Sequence, residues 1–107
     1  MKVAETSEIP IGNLKMVKLE GKEILITNVN GNYYAIRNRC THAGGDLSKG
    51  SLEGNIITCP RHGSKFDVTT GKVVLGPKIL FLRLKIKDEP FYEVEVDGKN
   101  ILLKIDE

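Results

Sequence analysis

The chain contains two cysteines and two histidines, and all four fall in two short stretches: RNRCTHAGGDL from Arg37 to Leu47 and CPRHGSKFD from Cys59 to Asp67. The spacing is Cys-x-His at Cys40 and His42 and, with sixteen residues between, Cys-x-x-His at Cys59 and His62. Two thiolates and two imidazoles form a four-ligand set suited to iron or zinc. Glycine follows each pair closely, at Gly44, Gly45 and Gly63, which lets the backbone turn tightly around a centre and aim amides at sulfur. A lone cysteine reads as a small hydrophobe and a lone histidine as an ordinary polar residue. Four such residues in two pairs, with none left over, read as ligands.

The elements that must position these loops are strands. In FLRLKIK (81–87), Leu82, Leu84 and Ile86 alternate with Arg83, Lys85 and Lys87. In YEVEV (92–96), Tyr92, Val94 and Val96 oppose Glu93 and Glu95, and NILLKID (100–106) puts Ile101, Leu103 and Ile105 on one face. Upstream, 14–19, 23–27 and 33–37 read as three strands, with turns at Glu20-Gly21 and Asn30-Gly31 and a further hairpin turn at Asp97-Gly98. The pattern predicts an all-β fold, a small antiparallel β sandwich or barrel, with no helix of three turns or more. The only helical candidate is a turn or two near GGDLSKG. Residues 39–76 break the strand rhythm and hold seven of the eleven glycines. Within them NIITC, KFDV and KVV are short strand-like pieces, the last two joined at Thr70-Gly71. The stretch therefore reads as a loop-rich subdomain of about 39–76 inserted into a β base of about 1–38 and 77–107, all within one domain spanning 1–107.

Composition bounds the function. At 107 residues, 40% hydrophobic and 28% charged, the chain has the make-up of a globular protein with room for one domain. A formal net charge of +2 argues against nucleic acid as the main partner. No apolar run approaches the roughly 20 residues that span a bilayer. The opening MKVAETSEIPIG lacks the apolar core of a secretory signal, so the expected location is cytoplasmic, without a membrane anchor. A reducing compartment disfavours a Cys40–Cys59 disulfide.

CTHAGGDL and CPRHGSKFD resemble the two signature boxes of Rieske-type [2Fe–2S] proteins, and the flanking β pattern agrees with that family, particularly its soluble, oxygenase-type ferredoxins. The resemblance implies one [2Fe–2S] cluster per chain, with Cys40 and Cys59 on one iron and His42 and His62 on the other. Replacing two thiolates by neutral imidazoles brings the oxidised centre to zero charge and the reduced centre to a single negative charge, with the added electron on the histidine-bound iron. Such centres lie at about −150 to +300 mV, against about −400 mV for plant-type ferredoxins. High-potential relatives carry an extra cysteine in each box, joined as a disulfide, where this chain has Gly45 and Arg61. They also carry a serine and a tyrosine that donate to sulfur; Ser64 matches the first, and Phe66 replaces the second and has no hydroxyl. The resemblance thus implies the low to middle part of the range. It also implies imidazole edges facing solvent, a potential that falls at alkaline pH, and a covering segment at Gly76-Pro77, with Pro77 its proline.

The function this implies is a soluble one-electron carrier between a reductase and a terminal oxygenase or other oxidoreductase, not an enzyme by itself. No nucleophile with a paired base is apparent. Alternatives are the small redox subunit of a larger complex, a Cys2His2 structural zinc module, and, last, a membrane-bound respiratory Rieske subunit. Pro60 stiffens the second loop. Asp46 and Asp67 are candidates to brace the loops, and Arg37, Arg39, Lys49, Arg61 and Lys65 would form a basic rim suited to an acidic partner.

Overall fold

The computed structural model describes residues 1–41, 44–79, 82–83 and 85–104, with backbone alone for 78, 79, 82 and 83. The strands are β1 (Lys2–Glu5), β2 (Leu14–Leu19), β3 (Lys22–Val29), β4 (Asn32–Arg37), β5 (Ser51–Glu53), β6 (Ile56–Thr58), β7 (Lys65–Asp67), β8 (Val73–Leu75), β9 (Lys78–Ile79), β10 (Leu82–Arg83), β11 (Phe91–Asp97) and β12 (Asn100–Lys104). Six of them form an antiparallel sheet in the order β1-β12-β11-β4-β3-β2, curled into a nearly closed barrel. β5-β6-β7-β8 make a second sheet, a simple meander, and β9 pairs with β10. Among the described residues the helical content is two single 3-10 turns, Thr6–Glu8 and Leu47–Lys49, the latter within GGDLSKG. No helix among them is long and apolar enough to cross a membrane.

Turn chemistry fixes the strand register. Leu19 faces Lys22 across Glu20-Gly21, and Val29 faces Asn32 across Asn30-Gly31. All four loop residues have positive φ, the signature of the tight turn whose twist suits an antiparallel pair. The third hairpin differs by one residue from expectation. Asp97 pairs with Asn100 as strand, so the turn is Gly98-Lys99, with Gly98 taking the positive φ.

The period of two divides the apolar side chains between two cores. Ile24 and Ile26 of β3 and Ala35 of β4 point into the barrel, where they meet Ala4, Ile9, Ile101 and Leu103. Leu25 and Ile36, on the opposite face, pack with Leu47, Ile57, Phe66 and Val68 from the second sheet and its loops. β3 is therefore buried on both faces, and all five residues from Ile24 to Asn28 are inaccessible. This is why Ile24-Leu25-Ile26 is a continuous apolar run rather than an alternation.

The FLRLKIK expectation is corrected. Among its described residues only Leu82–Arg83 is strand, Phe81 and Leu84 lie outside the described residues, and Lys85–Pro90 is an irregular strap. Its backbone and side chains are tied to separate partners: Lys87 O accepts from Thr41 Oγ1, Asp88 Oδ1 from the Val73 amide and Pro90 O from the Arg37 amide, while the Glu89 amide donates to Gly71 O. Scattered partners cannot make a ladder. A smaller departure occurs in the last hairpin, where Val96 stays 45% exposed; Ile105 lies outside the described residues.

Leu25 joins the barrel to the second sheet, so Leu25→Ala should lower stability by about 2–5 kcal/mol in urea unfolding. A loss below about 1 kcal/mol would contradict its place in that core.

Candidate metal centre

Both cysteines sit at the start of loops with the same hydrogen-bond pattern. In the first, the Cys40 amide donates to Gly45 O (2.8 Å) and the Gly44 amide donates back to Cys40 O (2.9 Å). In the second, the Cys59 amide donates to Ser64 O (2.7 Å) and the Gly63 amide to Cys59 O (3.2 Å). The glycine four residues after each cysteine adopts positive φ, +67° at Gly44 and +75° at Gly63, which closes the loop where other residues would be strained. One motif is used twice. The unequal Cys–His spacings hide this in the sequence, but the equal Cys–Gly spacings carry it.

Each loop has its own anchor. β4 ends at Arg37, and the next residue, Asn38, is fully buried. Its amide donates to Glu23 O and its carbonyl accepts from Leu47, while its side chain donates to Asp46 Oδ1 (2.7 Å) and accepts from the Ser48 amide (2.9 Å). Arg39 bridges Asp46 in strand fashion and reaches Glu23 (3.0 Å) and Gly44 O (3.2 Å) with its guanidinium. The Ser48 hydroxyl first, with Asn38 and the Ser48 amide, holds the Asp46 carboxyl below its ordinary pKa; Arg39 does the same for Glu23. The second loop spans β6 and β7, and Asp67 beyond it accepts from the Thr69 amide and hydroxyl. Asp46 thus braces the first loop, whereas the Asp67 carboxylate is bonded within the turn that follows β7. Asn38 carries no sequence signal beyond standing before Arg-Cys, and it was missed.

The thiols are buried at 4% (Cys40) and 2% (Cys59) and belong to the same apolar cluster as Leu25, Ile36 and Phe66. Burial pushes the Cys59 thiol up; the Arg61 and His62 amides, directed at its sulfur, pull it down, and neighbouring Cys40 pushes it up again. The two thiols are therefore close together. His62 and Arg61 are exposed at the outer end of their loop, Pro77 is buried, and His42 lies outside the described residues. Among the described residues no three of His, Cys, Asp and Glu gather around one point. Of the expected basic rim, Arg37, Arg39, Lys49 and Arg61 are exposed; Arg39 is committed to Glu23, and half-buried Lys65 donates to the Thr58 hydroxyl.

These residues fit a [2Fe–2S] cluster. Among the described residues the Ser64 hydroxyl is buried without a hydrogen-bond partner, a donor in want of an acceptor at the foot of the second loop. Two thiols share an apolar pocket, with amides aimed at one sulfur, as thiolates bound to iron require. Phe66 is fully buried in the same cluster and has no hydroxyl to offer. A Cβ added to Gly45 would stand 2.7 Å from Cys59 Sγ and 3.6 Å from Arg61 Cβ. The latter is a separation at which paired cysteines are bridged, so the two positions expected to replace a disulfide do face each other.

Gly45→Ala should therefore push the loops apart, costing about 1–3 kcal/mol, and lower the iron bound per chain while circular dichroism still reports a β fold. Unchanged stability with full iron content would contradict the close approach.

Comparison with known proteins agrees with this geometry. A family model described as Rieske [2Fe–2S] domain matches residues 1–84. The ferredoxin component of the naphthalene 1,2-dioxygenase/salicylate 5-hydroxylase systems of Ralstonia sp. is 39% identical over 99 residues, covering 92% of this chain and 88% of the relative. The biphenyl dioxygenase ferredoxin subunit of Pseudomonas sp. (strain KKS102) is 31% identical over 103 residues, covering 95% and 88%. Among solved structures, the ferredoxin of carbazole 1,9a-dioxygenase from Nocardioides aromaticivorans IC177 superposes with a TM-score of 0.81 at 30% identity, covering 96% of this chain and 94% of that one. A chain from a complex of reduced oxygenase and oxidized ferredoxin in carbazole 1,9a-dioxygenase superposes with a TM-score of 0.84 at 28% identity, covering 97% of this chain and 100% of that one. By the match of the family model over most of its length and by these relatives, the chain belongs to the Rieske [2Fe–2S] domain family.

Proposed function

We propose that this protein carries single electrons from a reductase to a terminal oxygenase, by means of a [2Fe–2S] cluster held by Cys40 and Cys59 on one iron and by His42 and His62 on the other. The observation that carries the reading is the pair of matching loops, which bury two thiols side by side and lead outward to an exposed histidine. Relatives of the same length are ferredoxin components of dioxygenase systems, and one structural neighbour was solved in complex with its oxygenase. The same reading divides the chain into a base of about 1–38 and 77–107 and a cluster-binding part of about 39–76. The six-stranded sheet and the β5–β8 meander support that division. It also places the protein in the cytoplasm, where thiols stay reduced until they meet metal.

When bound, the cluster supplies a one-electron couple. The residues around it decide its potential and its access. Apolar packing by Leu47, Ile57, Phe66 and Val68 keeps water from the thiolate side. The Arg61 and His62 amides and the Ser64 hydroxyl offer donors to sulfur, and each favours the more negative, reduced state. His62, exposed at the loop tip, gives a docked partner a short path. Neutral imidazoles in place of two thiolates lower the charge of the ligand set, so less work is needed to add an electron.

A donor to a charged sulfur is worth about 1.5 kcal/mol, which corresponds to about 60 mV for one electron. Ser64→Ala should therefore lower the midpoint potential by about that amount, and Phe66→Tyr should raise it. Redox titration followed by EPR reads both shifts. The same titration tests the function: uptake of one electron per chain is expected, and a colourless zinc protein with no reducible centre would overturn it.

A further inference from the structure

Glu89 has no part in holding the loops, yet it is only 3% exposed, and neither of its carboxylate oxygens has a hydrogen-bond partner among the described residues. A buried carboxylate without a partner is costly, and in practice such a group keeps its proton. Burial pushes its pKa up to about 8, with Arg37 and the Thr41 amide pulling the other way. Because the folded protein then binds this proton more tightly than the unfolded chain, its stability falls as pH rises from the ordinary carboxylate range to about 8.

The strap holds this residue in one place. The Glu89 amide donates to Gly71 O (2.7 Å), and a Cβ on Gly71 would come within 2.1 Å of Glu89 O, so the two backbones are pressed together. On the other side Thr41 Oγ1 donates to Lys87 O (2.6 Å), and the Arg37 amide to Pro90 O (2.9 Å). Clamped between this turn and the first loop, the carboxyl faces the amide of Thr41, the residue between Cys40 and His42, without closing a full hydrogen bond to it.

We propose that Glu89 is a positioning residue for charge: its carboxyl, set against the Thr41 backbone beneath the first loop, takes a proton from solvent when the cluster gains an electron and returns it on oxidation. The inference rests on the ligand assignment proposed above. The step balances. The donor protein supplies one electron, water supplies one proton, the carboxylate becomes a carboxylic acid, and the only bond formed is O–H. Among the described residues, the charged groups that face Glu89 are few. Arg37 approaches from β4, the first loop offers the Thr41 amide, and the turn at Gly71 offers backbone, its neighbours being exposed Lys72 and Asp67, which is engaged by Thr69. On the strap itself Asp88 accepts from the Val73 amide and Lys87 is exposed.

The sign follows from linkage. An added negative charge nearby raises the carboxyl's proton affinity, so protonation raises the potential and ionisation lowers it. Well below pH 8 the acid is protonated in both oxidation states and the potential is flat; from about 8 upward it falls, until the acid is ionised in both.

Redox titrations of the iron-loaded protein across this pH range test the proposal, with Glu89→Gln as the variant that keeps size and loses titration. The wild type should show a fall beginning near pH 8, and E89Q should lose that fall. An identical pH profile in the two proteins overturns the proposal. Should E89Q not fold, redox-difference infrared spectra of the wild type decide: a protonated-carboxyl band gained on reduction above pH 8 supports the proposal, and its absence overturns it. Loss of the iron spectrum from the wild type itself would instead overturn the ligand assignment, and this inference with it.

Discussion

Two thiolates cannot be buried side by side in an apolar cluster unless something positive lies between them. Cys40 and Cys59 are almost wholly inaccessible, close to each other and surrounded by Leu25, Ile36, Leu47, Ile57, Phe66 and Val68. As free thiols they are neutral and tolerable, with burial raising the pKa of Cys59. As thiolates they require metal. The rest of the cluster-facing structure serves this one constraint. The repeated loop closes on each cysteine at the same offset, Gly45 lets the first loop lie against the second cysteine, and backbone amides point at sulfur.

The scaffold meets that constraint through β3. A strand buried on both faces ties the barrel interior to the second sheet, so the position of the loops follows from the barrel. Asn38 then converts the end of β4 into a fixed post for the first loop, using both ends of its amide and both of its backbone groups. The strap from Lys85 to Pro90 closes the opposite side, bonded to the first loop, to β4 and to the Gly71 turn. Rigidity around a redox centre keeps small the reorganisation that accompanies the gain or loss of one charge.

Much of this was legible in the sequence where one residue type serves one purpose. Cysteine and histidine have few reasons to pair at such spacings. Glu20-Gly21 and Asn30-Gly31 are turns because their residues tolerate positive φ, and they set register as expected. The strand read at FLRLKIK runs too far because the stretch alternates as far as Lys87, while Lys85–Lys87 already belong to the strap, whose hydrogen bonds go to four separate places that only the folded chain brings near. The last turn slipped by one because Asp97 tolerates either role and the pairing with Asn100 decides it. Asn38 and Glu89 were missed for a common reason. Their importance lies in burial and in long-range partners, and neither leaves a local pattern.

The central claim is that one iron is bound through sulfur and its neighbour through nitrogen. Pulsed EPR on the reduced protein, grown with nitrogen-15 histidine, tests this directly. The account predicts strong coupling to two histidine nitrogens, reduced to one or lost with the cluster in His62→Ala. A reduced iron signal without histidine coupling, or a full two-nitrogen pattern surviving in His62→Ala, would contradict it.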